Sequence, residues 1–352
     1  MKTPSLSGSR QLGFGFDEAS APMPAVPPVI ALQVAPRPIA PIPAKPKADT
    51  HPDVNAEAMA KVLDAHPDFR VLRRLAPRLE FPPATGPVAT LLVLDTETTG
   101  LNAARDKVVE LALLRVTVDL LTGQPVGAVQ VYDGLEDPGM PMPEEIIAIT
   151  GITDDMLRGQ RLDDAEVQRM LEGVDLVLAH NAGFDRPFVE FRLPQFALLN
   201  WACSFADIDW KQEGRGSAKL TSLAYDQGFF YDAHRAEMDC HALLAVLMAT
   251  LNTTQASGLS RLIESVLTPS FRLQATNAPF DAKDLLKARG YRWDGAQKVW
   301  HTRLDDASAL ALECEWLKSA VYAGRSSRVQ VEELDAKTKY SSRPGQVGWR
   351  EL

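Results

Sequence analysis

Cysteine, histidine and aromatic side chains are scarce in these 352 residues: three Cys, six His and 7% Phe, Trp and Tyr. Cys203, Cys240 and Cys314 are odd in number and lack metal-ligand spacing. That argues against a disulfide framework or a zinc ribbon and fits a reducing compartment. No run of about eighteen apolar residues occurs, so no membrane-spanning helix is expected. A charged start followed by an apolar stretch and a cleavage site is also missing, and a cytoplasmic location is expected. Positive charge is in deficit, with a net of −9, which disfavours a purely electrostatic nucleic-acid binder. The deficit is uneven. Ser270 to Leu352 holds 14 basic and 11 acidic residues, a net of +3, against −12 for the rest.

What is present divides the chain into five parts. Residues 1–50 are rich in Pro and Ala and read as a semi-extended tether unable to bury a core. Residues 51–86 read as a helical lead-in: from about Asn55 to Leu79, Met59, Val62, Leu63, Val71, Leu72 and Leu75 recur at helical spacing, divided by Pro67 and Pro77. Residues 87–252 alternate strand and helix patterns, which predicts an α/β layered sheet. Val108–Val118 reads there as an outer, antiparallel strand. Residues 253–269 form a linker, and 270–345 a small α+β module whose βαββαβ order suggests a ferredoxin-like arrangement.

Carboxylates mark the α/β part. Asp95 and Glu97 end the apolar run Leu91-Leu92-Val93-Leu94, which reads as a buried strand, and Gly100 marks its stop. Two residues apart on a strand, they point the same way. Like charges so close to an apolar core are costly without a cation, and a hard divalent ion accepts several oxygen ligands at once. Asp185 follows in His180-Asn181-Ala182-Gly183-Phe184-Asp185, where strand gives way to helix and Asn181 is placed to cap it. Asp239 follows in His234-Arg235-Ala236-Glu237-Met238-Asp239. On one helix, His234 and Asp239 would stand about 140° apart, so His234 is expected on the loop before the helix. There a histidine suits proton transfer to or from water.

These three segments, Asp95-Thr96-Glu97-Thr98-Thr99-Gly100, His180 to Asp185 and His234 to Asp239, resemble the three exonuclease motifs of the DnaQ-like DEDDh 3′–5′ exonuclease superfamily. The resemblance spans about residues 90–251. It implies a ribonuclease H-like mixed sheet flanked by helices. It also implies a two-metal hydrolysis of phosphodiester bonds from 3′ ends that releases nucleoside 5′-monophosphates. Asp95, Glu97, Asp185 and Asp239 would hold two Mg²⁺ or Mn²⁺ ions, with His234 as general base. Thr98, Thr99, Gly100 and Leu101 would form a turn against the terminal nucleotide. Glu145 and Thr150 match family positions that touch it, although Thr150 stands where the superfamily's type member has histidine. Single-stranded DNA in proofreading or repair is the expected substrate, beside a polymerase or alone. The alternatives are an RNA 3′-end trimmer and a catalytically silent binding or scaffold protein.

Plainer readings stand beside each residue. Asp185 or Asp239 alone would be a helix-start charge stabilised by the dipole, Glu144–Glu145 a solvated first turn, and His180 a structural residue. Cys240 and His241 lack further ligands at zinc spacing. In the C-terminal module, Arg292, Trp293, Lys298 and Trp300 lie on two hairpin strands. They are either single-strand contacts, through stacking and charge, or the filling of the module's own core. In the tether, Gln11 to Phe16 loosely resembles peptides that bind the bacterial sliding clamp, although short motifs also recur by chance.

Overall fold

The computed structural model describes residues 55–352; the Gln11–Phe16 peptide and the tether lie outside the described residues. Helix α1 (Ala56–Asp64) is followed by two-residue strands β1 (Arg73–Arg74) and β2 (Glu80–Phe81). The helical spacing read on to residue 79 therefore ends at Asp64. Pro67 and Pro77 lack the N–H that a helix interior needs and disfavour helical backbone just before them.

Strands β3 (Val88–Thr98), β4 (Val108–Asp119) and β5 (Gln124–Leu135) come next. Helices α2 (Glu144–Thr150), α3 (Asp154–Leu157) and α4 (Asp164–Leu171) precede β6 (Leu176–Ala179), α5 (Ala182–Arg192) and β7 (Trp201–Cys203). Helix α6 (Leu220–Asp226), β8 (Phe229–Phe230) and α7 (Ala236–Met248) complete the part. The six-stranded sheet runs β2-β5-β4-β3-β6-β7. β2, β5, β4 and β3 pair antiparallel, while β6 and β7 run parallel to β3. This is the expected mixed, ribonuclease H-like sheet flanked by helices. One detail differs: β4 is not an outer strand but lies between β5 and β3. Its near-continuous apolar run reflects burial on both faces.

Alternation along β3 sorts its side chains between two cores. Leu91 and Val93 pack with Cys240, Leu243 and Leu247 of α7. Leu92 and Leu94 pack with Phe188 and Val189 of α5 on the other face. All four β3 residues are fully buried, each worth roughly 1.5–3 kcal/mol over exposure. The strand is thereby clamped just ahead of its carboxylates.

Helix α8 (Gly258–Ser265) leads into β9 (Ser270–Ala275), α9 (Lys283–Ala288), β10 (Arg292–Asp294), β11 (Val299–Leu304), α10 (Ala307–Trp316) and β12 (Arg328–Leu334). The sheet order β10-β11-β9-β12, with every neighbour antiparallel, is the split βαββαβ arrangement. A further edge strand, β13 (Gln346–Glu351), pairs with β12 and extends beyond the expected module. Phe271, Leu273, Leu286, Leu310, Leu317 and Val329 form its core.

The segment between β12 and β13 returns to the larger sheet. Arg186 of α5 is completely buried and donates to Glu190 and to the carbonyls of Ala336, Lys337 and Lys339. Lys339 Nζ in turn donates to the Ser265 and Thr268 carbonyls, at 3.0 and 2.8 Å. Arg343 reaches Glu190 at 3.2 Å.

Candidate active site

The β3 alternation that places Val93 against α7 also places Asp95 and Glu97 there. Helix α7 is held over the strand by Cys240, whose thiol approaches the Val93 and Ala112 carbonyls at 3.7 and 3.6 Å. Asp239, one residue earlier, is thereby brought over the strand's end. Asp95, Glu97 and Asp239 each offer a carboxylate oxygen, and these oxygens lie within 4.8 Å of one another. Asp185 comes from α5, on the opposite face, and is not in that triplet. Thr96, pointing to the α5 side, donates its hydroxyl to Asp185 Oδ1 at 2.8 Å.

The four acids also act on one another's charge. Loss of solvent, then Asp185, Asp239 and Glu97, push the Asp95 carboxyl well above the usual range. Glu97 is pushed up to about 8 by burial and then by Asp239 and Glu110. Burial also raises Asp185 and Asp239, against the hydrogen bonds from Thr96 to the first and from Tyr231 to the second. Four mutually repelling carboxylates, three of them convergent, form a hard oxygen donor set that a divalent cation neutralises. The residues fit such an ion.

His234 lies on the loop before α7, as its spacing from Asp239 requires. Its backbone is left-handed (φ 66°) and Arg235 is the residue that precedes the first helical turn. Asp239 holds this loop: Oδ2 accepts from the His234 and Arg235 amides at 2.8 and 3.1 Å, and Oδ1 accepts from Tyr231 Oη at 2.9 Å. Asp239 therefore folds the histidine's approach while keeping lone pairs for a cation.

Three further residues emerge only from the structure. Glu110 is fully buried and directly opposite Glu97 across the β3–β4 ladder, where like charges destabilise. It is bridged by Arg235, Nε at 3.1 Å and a terminal nitrogen at 2.8 Å, and by the Ala236 amide at 3.0 Å. Glu110 thus anchors the start of α7 beside His234. A lone acid inside the apolar stretch from Val108 to Val118 was the signal available for it. Tyr231 and Thr96 carry no such signal, because a hydroxyl beside a carboxylate depends on tertiary contact.

The expected nucleotide contacts divide. Thr98 and Thr99 are buried and build the turn: Thr98 Oγ1 donates to the Gly100 carbonyl at 2.6 Å, and Thr99 Oγ1 accepts from the Lys107 amide at 3.0 Å. Gly100 is needed for space, since a Cβ there would sit 2.6 Å from Asp106 Oδ2. Leu101 projects into solvent, 83% exposed. Glu145 is exposed in the first turn of α2. Thr150 is buried, its hydroxyl bonded to the Ile146 carbonyl and the Ile152 amide. That hydroxyl is spent on the end of α2 and is not presented outward.

Two structural expectations change. Asn181 occupies the cap of α5 in the left-handed region, without a side-chain cap hydrogen bond. Of the four C-terminal residues, Arg292 pairs with His301 while Trp293 pairs with Trp300. Adjacent strand residues alternate faces, so Arg292 lies on the other side of the sheet from the tryptophans. His180 bonds Ser204 at 2.8 Å, and burial lowers its pKa to about 4, in keeping with a structural role. The three cysteines are free and buried.

Residues 92–247 match the exonuclease family RNase_T. A PolC-type DNA polymerase III of Listeria welshimeri is 40% identical over 103 residues, covering 29% of this chain and 7% of the polymerase. The Bacillus subtilis counterpart is 38% identical over 165 residues, covering 39% and 11%. The likeness is thus confined to a small share of those relatives. Among solved structures, Exonuclease X in complex with 5′-overhanging duplex DNA has 21% identity and a TM-score of 0.32, covering 48% of this chain and 99% of that one. E. coli Exonuclease I with a dA16 oligonucleotide has 17% identity and a TM-score of 0.39, covering 52% and 48%. Residues 92–247 are thus similar to DnaQ-like exonuclease domains. Among the described residues, no helix is long and apolar enough to cross a membrane.

Proposed function

We propose that this protein is a divalent-metal-dependent 3′–5′ exonuclease that shortens single-stranded DNA ends and releases nucleoside 5′-monophosphates. The observation that carries the reading is the convergence of Asp95, Glu97 and Asp239 within 4.8 Å, beside a histidine on a left-handed turn. Asp95, Glu97, Asp185 and Asp239 would together hold two Mg²⁺ or Mn²⁺ ions. Bound there, the ions supply activation of the attacking water and charge stabilisation of the departing 3′ oxygen.

The chain's own residues do the rest. His234 accepts the water's proton as general base. Tyr231 and the His234 and Arg235 amides orient Asp239, and Thr96 orients Asp185. The Glu110–Arg235 pair fixes the start of α7, so that His234 and Asp239 keep their spacing. The turn from Thr98 to Leu101 offers its backbone and the exposed Leu101 side chain to the terminal nucleotide, and the exposed Glu145 is a further contact by the family resemblance. DNA is preferred over RNA as substrate because the PolC-type relatives are DNA polymerases. By the same likeness, the domain works beside a DNA polymerase.

The test is incubation with 5′-labelled single-stranded DNA and RNA of one sequence, with Mg²⁺ or with EDTA. A metal-dependent ladder shortening from the 3′ end, faster on DNA and absent with Asp239→Ala, is the expected result. Cleavage that persists in EDTA or in that variant refutes the site assignment. A faster RNA ladder makes the protein an RNA trimmer.

A further inference from the structure

The C-terminal module carries a second open cleft, of about 530 Å³, between the β10–β11 hairpin and the loop that leads into α9. Its walls are aromatic. Trp293 and Trp300 face each other across the hairpin, with ring centroids 5.5 Å apart and planes inclined by 59°. Phe280, from the loop that leads into α9, lines the same cleft. Trp300 is half-buried against the module's core, which fixes its position. Trp293 and Phe280 are not core residues: they are 51% and 77% exposed. A compact module gains nothing in its own stability from two large rings left in water, and exposed aromatic sets of this kind mark binding surfaces.

Charge narrows the ligand. The lining holds two cations, Lys283 and Lys298, and no carboxylate. Lys283 Nζ sits over one face of the Phe280 ring, 4.3 Å from its centre, a cation–π contact that holds the charge inside the cleft and leaves the ring's other face for stacking. Asn277 adds an amide at the rim. In a chain of net charge −9, an acid-free aromatic cleft fits a planar group attached to an anion. A nucleobase with its phosphate meets both requirements, and rings flanked by lysines are how sequence-tolerant single-strand sites are built.

We infer that this cleft stacks one or two unpaired bases of a single strand between Phe280 and the Trp293–Trp300 pair, with Lys283 and Lys298 on the adjoining phosphates. It deepens the exonuclease reading by adding a grip on the strand away from the metal ligands. It rests on that reading only for the identity of the strand, because binding here requires no catalysis.

The experiment uses the full chain in EDTA at low salt, with fluorescence anisotropy of labelled dT15 and rU15. Trp293→Ala and Phe280→Ala should each weaken binding by about tenfold or more, the effect of losing a stacked base. Lys298→Glu should weaken it further and flatten its salt dependence. Both aromatic side chains are exposed, so their truncation leaves the fold intact, which unchanged melting temperatures will verify. Metal-dependent hydrolysis of the 4-nitrophenyl ester of thymidine 5′-monophosphate, too short to span two sites, is read in parallel and should not change. Wild-type oligonucleotide affinity in both aromatic variants overturns the proposal. Weakened binding in the variants together with no hydrolysis by the wild type keeps the cleft and refutes the exonuclease reading instead.

Discussion

Glu97→Gln tests the electrostatic account of the site most directly, because Glu97 sits in the cluster through its charge. Its pKa in the folded protein is raised from 4.5 to about 8, by burial and then by Asp239 and Glu110. For a raised carboxyl, the stabilising contribution is complete below the unfolded value and is lost as pH rises through the folded one. The window therefore runs from about pH 4.5 to 8. Over it, the metal-free protein loses on the order of 4 kcal/mol from this group, before screening by the water that reaches a half-buried side chain. The neutral isostere removes that loss. With roughly 2 °C per kcal/mol for a unit of this size, metal-free Glu97→Gln should melt several degrees above wild type at pH 8 and at nearly the same temperature at pH 5. Added Mn²⁺ narrows the gap. A ligand at a hundred times its Kd stabilises by about 2.7 kcal/mol, so wild type should rise by roughly 5 °C at pH 8, and the variant, short of one ligand, by clearly less. The assay is differential scanning fluorimetry at four pH values, with Mn²⁺ and with EDTA. Equal pH slopes and equal metal shifts in the two proteins would refute the reasoning.

Other substitutions separate ligands from supports. His234→Ala should slow nucleotide release by about 10²- to 10⁴-fold, the range for loss of a general base, yet keep the Mn²⁺-dependent rise in melting temperature; loss of that rise would make His234 a ligand. Glu110→Gln weakens the bridge to Arg235 and should cost about 1–3 kcal/mol and lower kcat. An unchanged kcat would reduce Glu110 to a purely structural residue. Arg186→Met strands the carbonyls of Ala336, Lys337 and Lys339 beside α5 and should destabilise by about 3–5 kcal/mol. Early proteolysis between residues 335 and 345 would report it, and wild-type resistance would count against the docking role.

Legibility in the sequence followed the range of the interaction that fixes each feature. β3 could be read because Leu91 to Leu94 fill adjacent positions of a strand buried on both faces. Asp95 and Glu97 could be read because strand alternation carries two carboxylates to one side. The place of His234 followed from helical geometry alone, since five residues of helix would have turned it away from Asp239. The module's order also followed from local patterns, from β9 to β12. By contrast, the helix expected through residue 79 stops at Asp64, where two prolines override the apolar spacing. In β13, Val347 and Trp349 alternate with other residues but both stay exposed, and the strand forms because β12 offers an unpaired edge.

By itself, the sequence determined the mixed α/β class, the paired carboxylates at the end of β3 and the split βαββαβ order, because each rests on periodicity or on residue type at short spacing. Only the tertiary structure decided which acids converge. Asp185 reaches the region from the face opposite Asp239, and Glu110 meets Glu97 only through the register of β3 against β4. Arg186 finds its partners some 150 residues away, and Arg292 parts from Trp293 by the phase of one strand. Such contacts depend on which elements share a face and on strand register, and no local pattern of residues encodes either.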